Sequence, residues 1–458
     1  MSKSPKIAFI GAGSTIFMKH IIGDVLQRDA MSGAHVALVD IDPVRLAQSV
    51  KIADRMVTTL DVPAKITSHL KQREALDGAD FVIVAFQIGG YDPCTITDFE
   101  IPKKFGLEQT IADTLGIGGI MRGVRTVPHL WSICDDMMDL CPEATLLQYV
   151  NPMSINIWAI TEKYPEIKVV GLCHSIQYTV KALATDLGLE ESEIRFDCSG
   201  INHIAFFSKF EQIMEDGSYR DLYPALQAGY AEGRFPTDES MESPRCKNFV
   251  RYEMMKRLGY FVTESSEHFA EYVPWFIKKG REDLIEKFQI SIDEYPKRCI
   301  EQAAGWDQQA KDLEGGAPMD LEPSNEFASD IIESIWTGKP SVIYGNVANK
   351  GMIENLPDGC AVEVACLVDR NGVQPVAVGK VEPHLAAIMQ SHVSVHGLVV
   401  DALMTENPDR IYHAAIMDPH TAAELDLEQI EQMVNEMRAA HGEWLPKWAQ
   451  LPAVSKEV

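Results

Sequence analysis

The sequence predicts an α/β protein: a doubly wound parallel sheet followed by a second, α+β domain. Three observations carry the prediction. Short apolar runs that read as buried strands alternate with segments of helical period over roughly the first 175 to 195 residues. A glycine turn, Gly11-Ala12-Gly13-Ser14, joins the first such strand to the first helix. After Gly200 the alternation stops, and a long strand-like stretch, polar loops and then mainly helices follow.

In order, KIAFI is a buried strand over Lys6 to Ile10, and a helical pattern runs on from the glycine turn to about Gln27. HVALVDIDP places a second strand at Val36 to Val39, ended by Asp40, with a helix to about Leu60. Ala64 to Thr67 is a short strand and Leu70 to Leu76 a short helix. FVIVAF at 81–86 is another buried run. A helix is expected near His129 to Leu140, strands at 146–150 and 168–172, and a helix over Ile155 to Lys163 between those strands. The second half offers strand-like AFFSKFEQ, loops near Gly217 and Glu239 to Ser243, and a helix over Glu326 to Trp336. VIYGNV and VEVACLVD read as strands, and helices dominate from about Leu385 to Ala440. No repeat or low-complexity linker divides the chain. A dinucleotide-binding domain is expected over 1–196 and a substrate-binding and oligomerisation domain over 197–458, packed together with the site between them.

The composition narrows the function. The 458 residues carry a formal charge of −26, which argues against nucleic acid and anionic membrane as partners, since both call for clustered Lys and Arg. No apolar run approaches the roughly 18 residues of a membrane-spanning helix. The start, MSKSPKIAFI, passes directly into a strand without the apolar region of a signal peptide. The nine cysteines are scattered, with no CxxC pair, which fits free thiols in a reducing compartment. A cytoplasmic enzyme acting on a small molecule is the expectation.

The motifs sit where a doubly wound sheet gathers ligands, at the C-terminal ends of its strands. Gly11 and Gly13 permit a tight turn and let a pyrophosphate approach the helix N-terminus beside Ser14. The third glycine of the usual G-x-G-x-x-G is absent, Ile16 standing there. Asp40 at the end of the next strand suits an adenosine ribose and favours NAD over NADP, although Arg45 is also near. The bland alternative is a phosphate-free turn. AFQIGGYDP, 85–93, with Gln87, Gly89 and Gly90, is either a loop needing positive φ angles or a wall over nicotinamide and substrate. In QTIADTLGIGGIMRGVRTVP, 109–128, Asp113, Arg122 and Arg125 flank glycines. The segment reads as a loop bracketing a polyhydroxylated ligand, or as punctuation with solvated arginines. Asn151 of YVNPM either caps a helix or points its amide into the crevice.

GLCHSIQ and GINHIAF add Cys173, His174, Asn202 and His203 at the junction of the two halves. A thiol with one or two imidazoles suits a divalent ion, and the spacing matches no closed zinc motif. An ion with open positions that polarises substrate oxygens is therefore the sharper reading. A buried Cys beside a polar His is the plain one. GYFVTESSEHFAEYVPW, 259–275, is dense in acid–base groups: Glu264, Glu267, His268, Glu271 and Tyr272. Most of these are expected on a solvated helix face, with one available as a base.

Together FIGAGST, VDIDP, VAFQIGGY, ADTLGIGGIMR, YVNPM, GLCHS, GINH and GYFVTESSEHFAEY make the chain resemble the NAD- and metal-dependent glycosidases of glycoside hydrolase family 4. The resemblance runs from about Lys6 to about Trp448. It implies a lactate/malate-dehydrogenase-like nucleotide domain with a substrate and oligomerisation domain, and a homodimer or homotetramer. It implies NAD bound by Gly11, Gly13, Ser14, Asp40, Gln87 and Asn151, and Mn²⁺ held by Cys173 and His203. Asn151, Asn202 and Arg122 would meet the substrate. His174 stands where phospho-sugar relatives carry an acidic residue and is taken as the catalytic acid. The relatives' tyrosine base falls near Ser265 here, so Glu264, Ser265 and Asp113 share the remaining catalytic expectation. The reaction implied is hydrolysis of an α-galactoside such as melibiose: oxidation at C3, loss of the C2 proton, elimination of the aglycone, addition of water and re-reduction. An α-glucosidase or α-glucuronidase is the near alternative, and a 2-hydroxy-acid dehydrogenase a remote one.

Overall fold

A computed structural model of the chain describes residues 4–235, 248–314, 319 and 321–451. Twelve strands form one mixed sheet. They are β1 (Lys6–Ile10), β2 (His35–Val39), β3 (Lys65–His69), β4 (Phe81–Val84), β5 (Thr145–Gln148), β6 (Lys168–Gly171), β7 (Ile194–Ile201), β8 (Ile204–Ile213), β9 (Tyr219–Asp221), β10 (Ser341–Ala348), β11 (Ala361–Asp369) and β12 (Gly372–Pro375). The first six lie in the order β3-β2-β1-β4-β5-β6, all parallel. This is the doubly wound dinucleotide-binding order. Their middles are apolar on both faces because helices cover both: Ile7, Phe9, Val36, Leu38, Val82 and Ile83 are fully buried.

The sheet then continues antiparallel through β10, β11, β7, β8 and β9, with β12 on β11. The expected boundary at 196/197 falls inside β7, so the two halves share one sheet. Where they join, Gly171, Asn346, Glu363 and Gly200 stand in register across β6, β10, β11 and β7. Two buried polar side chains thus occupy the seam, and Glu363 lies near Cys173 and Asn202.

The first-half strands and helices lie close to where the sequence puts them. One departure concerns 109–128, expected as a glycine-rich loop. A helix begins at Gly116 and runs to Leu140. Its early glycines serve close backbone packing: a Cβ at Gly118 would sit 2.2 Å from the Ala112 carbonyl oxygen, and one at Gly119 2.5 Å from that of Thr114. Arg122 and Arg125 on this helix are buried, not solvated. Arg125 is held by both oxygens of Asp98, whose Oδ1 also lies 2.8 Å from His441. The expected loop at Glu239 to Ser243 lies outside the described residues.

Candidate active site

The C-terminal ends of β1, β2, β4, β5 and β6 and the β7–β8 turn converge on one region. At the end of β1, Gly11 has φ +93° and a Cβ there would lie 2.1 Å from the Ala85 carbonyl oxygen, so only glycine fits. The Gly13 amide donates to Asp40 Oδ2 at 2.7 Å, and a Cβ at Gly13 would meet that oxygen at 2.6 Å and the Arg45 Cβ at 3.1 Å. Asp40 Oδ1 accepts from the Asp42 amide. The acid expected at a ribose therefore also braces the turn. Ser14 is exposed at the start of the helix Thr15–Leu26 and makes no side-chain cap, leaving that N-terminus open to an anion.

At the end of β4, Gln87 donates to the Gly90 carbonyl and to Thr95 Oγ1, and its Oε1 accepts from Tyr295. After β5, Asn151 donates to Asp113 Oδ2 at 3.3 Å. Asp113 Oδ1 accepts from Thr114, and Arg122 stands 3.6 Å from Oδ2. Burial works to raise the Asp113 carboxyl, but Arg122, His268 and His203 outweigh it and hold it below its ordinary value.

Beyond β6, Cys173 Sγ, a ring nitrogen of His203 and a carboxylate oxygen of Glu264 lie within 4.8 Å of one another. Sequence reasoning supplied the thiol and the imidazole as ligands but placed Glu264 among the bases. His203 and Glu264 both have positive φ, 67° and 64°, which turns their side chains inward from tight turns. His203 Nδ1 is 2.9 Å from the Tyr272 hydroxyl, and Nε2 is 3.2 Å from Glu264 Oε2. Such a partner on the far nitrogen fixes the ring with Nε2 toward the site, as metal-ligating histidines are commonly held. Burial pushes His203 down to about 4 against the pull of Glu264. For Glu264, burial works upward, but His203, His268 and His174 hold it at about 2. Burial, with Glu264 and Glu363 nearby, pushes the Cys173 thiol up. At neutral pH the set is a neutral imidazole, a carboxylate and a thiol that a divalent cation would deprotonate. Thiol, imidazole and carboxylate converging, with no fourth protein ligand among the described residues, fit an ion that keeps open positions.

His174 lies beside this set at the start of the helix Ser175–Leu187, half-exposed, with Nδ1 3.3 Å from Glu326 Oε1. Ser265 Oγ is 2.7 Å from His268 Nδ1, and Glu264 Oε1 is 3.5 Å from the same nitrogen. Asn202 is fully buried and faces the Glu363 carboxyl.

The acidic stretch after Glu264 corrects its expectation. Every residue of the helix Ser266–Tyr272 is buried. Glu271 accepts from the backbone amides of Thr110, Ile111 and Ala112, with contacts from 2.7 to 3.3 Å. Glu267 pairs with Arg298. The Glu271 carboxylate and the Glu267 backbone carbonyl, which accepts from Thr110 Oγ1, tie down the segment that carries Asp113, and Tyr272 on the same helix supports His203. Tyr295 is a site residue the sequence reading missed. It sits in a segment without a recognisable motif, and only the fold brings it to Gln87.

Fold and site together define a doubly wound α/β enzyme with a thiol–imidazole–carboxylate centre at the ligand edge of its sheet. Family models described as family 4 glycosyl hydrolase and family 4 glycosyl hydrolase C-terminal domain match residues 6–189 and 198–421. The chain belongs to family 4 of the glycosyl hydrolases. It is 42% identical to an alpha-galactosidase of Bacillus subtilis, over 97% of this chain and 99% of that protein. It is 33% identical to an alpha-galactosidase of Rhizobium meliloti, over 99% and 91%. Among solved structures it resembles a 6-phospho-alpha-glucosidase from gut microorganisms in complex with NAD and Mn²⁺. That match has a TM-score of 0.82, 19% identity and coverage of 98% and 100% of the two chains.

Proposed function

We propose that this enzyme is an NAD- and Mn²⁺-dependent α-galactosidase. The observation that carries the reading is the convergence of Cys173, His203 and Glu264, in a sheet whose first strand ends in the close turn at Gly11 and Gly13. The full-length likeness to two alpha-galactosidases supports the sugar. Gly11, Gly13, Ser14 and Asp40 would hold the NAD pyrophosphate and ribose, with Gln87 and Asn151 toward the nicotinamide. Cys173, His203 and Glu264 would hold Mn²⁺. When bound, the dinucleotide supplies a hydride acceptor for the sugar C3, and the metal supplies a Lewis acid for its C2 and C3 oxygens.

The chain's own groups do the rest. Asn202 and Arg122 orient the ring from the buried side, and Asn151 fixes the Asp113 carboxylate that faces it. The C2 proton leaves toward the Ser265–His268 pair, whose hydroxyl oxygen and Nδ1 lie 2.7 Å apart, since Glu264 is taken up as a ligand. His174, half-exposed at the mouth and backed by Glu326, protonates the departing oxygen. The buried helix Ser266–Tyr272 keeps bulk water from that side. Nothing here calls for two opposed carboxylates acting as acid and nucleophile.

Eight free thiols among the described residues, two of them, Cys173 and Cys299, at the site, suit a reducing, cytoplasmic setting. No helix among the described residues is long and apolar enough to cross a membrane. We expect a homodimer or homotetramer, as the family resemblance implies.

The test is hydrolysis of aryl α-galactoside and α-glucoside by protein stripped of cofactor and metal, then restored with each. Galactoside cleavage that requires both NAD⁺ and Mn²⁺ supports the reading. Cleavage indifferent to either additive, or net NADH release from a 2-hydroxy acid, rejects it.

A further inference from the structure

Tyr295 opens the helix Glu294–Glu314, and its backbone amide donates to the Thr110 carbonyl at 3.0 Å. Its hydroxyl donates to Gln87 Oε1 at 3.1 Å and contacts the Arg122 guanidinium. The phenol therefore stands between the end of β4 and the Asp113–Arg122 pair. Arg122 is 6% exposed, yet its donors are not used up. The nearest Asp113 oxygen is 3.6 Å away, beyond a good hydrogen bond, and Nε has no partner among the described residues. A buried guanidinium with spare donors costs stability unless something accepts from it.

The three side chains complement one another. Arg122 only donates, Asp113 only accepts, and the Tyr295 phenol, its proton given to Gln87, accepts. A sugar hydroxyl both donates and accepts. The adjacent carboxylate balances the guanidinium, so the cluster suits a neutral hydroxyl better than a phosphate or carboxylate. Asp113 also faces His203 and His268, which sets the cluster beside the thiol–imidazole–carboxylate centre. The reacting C2 and C3 belong at that centre. The next hydroxyl around the ring is at C4, and its configuration alone separates galactosides from glucosides.

We propose that Tyr295, with Arg122 and Asp113, reads the C4 hydroxyl and sets the preference for galactosides. This rests on the glycosidase reading above. The test is a cycle on the enzyme loaded with NAD⁺ and Mn²⁺. Wild type and Tyr295→Phe are each assayed with aryl α-galactoside, its 4-deoxy analogue and aryl α-glucoside, and NAD⁺ affinity is measured for both proteins. The expected result is a fall of about tenfold or more in the galactoside-to-glucoside ratio of kcat/KM, as sites that hydrogen-bond a hydroxyl discriminate strongly. The variant should lose little further activity on the 4-deoxy substrate and bind NAD⁺ as wild type does. Tyr295→Met, similar in bulk, runs the same cycle should the Phe variant not fold. An unchanged ratio, or equal losses on all three substrates, overturns the proposal while wild-type galactoside cleavage leaves the glycosidase reading intact. Wild type that cleaves no glycoside overturns both.

Discussion

Replacing Glu363 with Gln should raise stability at alkaline pH and leave it nearly unchanged in mild acid. Glu363 is fully buried on β11 in the seam between the two halves of the sheet. Its Oε1 accepts from Asn346 Nδ2 at 3.1 Å, and Oε2 has no partner among the described residues. Burial, with the Glu264 carboxylate adding to it, lifts the carboxyl to about 8 from an ordinary 4.5, and the Asn346 amide only partly offsets the rise. The folded protein thus holds a proton there that the unfolded chain releases above 4.5. Stability is fully present below that pH and declines as pH rises toward 8. At about 1.4 kcal/mol per pH unit the ceiling is about 5 kcal/mol, and relaxation around a buried charge reduces the realised loss to a few kcal/mol. Gln keeps the shape and the acceptor for Asn346 but cannot ionise. Melting curves of metal-free protein at pH 5.5 and 8.5 would show the variant's alkaline destabilisation reduced relative to wild type. Parallel pH dependence in the two proteins would refute the assignment of a neutral buried carboxyl.

Three further outcomes follow from the geometry. Cys173→Ser exchanges a thiolate for a poor ligand and should weaken Mn²⁺ binding at least about tenfold by titration with paramagnetic resonance detection; unaltered affinity would remove Cys173 from the site. Gly13→Ala drives a Cβ to 2.6 Å from Asp40 Oδ2, displacing a charge-assisted hydrogen bond of roughly 1.5–3 kcal/mol. NAD⁺ affinity measured calorimetrically should fall about tenfold or more, and wild-type affinity would mean that the turn yields freely. Tyr272→Phe removes the hydroxyl 2.9 Å from His203 Nδ1 and should weaken Mn²⁺ binding about tenfold with the fold intact, whereas full affinity would make that contact incidental.

What the sequence made legible, and what it hid, divides by the range of the interactions. The parallel half could be read because each strand is a short apolar run and each ligand-bearing turn follows directly from it. Lys6 to Ile10 with its glycine turn shows this most plainly. Cys173 and His203 were legible because each sits within two residues of a strand end. The buried acids were not. Glu271 is solvated by amides 159 to 161 positions away, and Asp98 by His441, 343 positions away. No local pattern distinguishes such a carboxylate from one on a wet helix face. The glycines from Gly116 to Gly119 misled for a related reason. They serve a helix that passes close to its own preceding loop, and glycine at a close contact looks in sequence like glycine in a turn. Glu264 was recognised as a functional acid, but only the folded turn shows that its carboxylate meets the thiol and the imidazole.

Oxidation at C3 with loss of the C2 proton and direct displacement at C1 leave different marks on the product. The most direct measurement is hydrolysis of an aryl α-galactoside in D₂O with NAD⁺, Mn²⁺ and a thiol reductant, reading C2 of the released galactose by NMR. Deuterium at C2 is the expected result of the oxidation–elimination route. Product carrying only hydrogen there would contradict it.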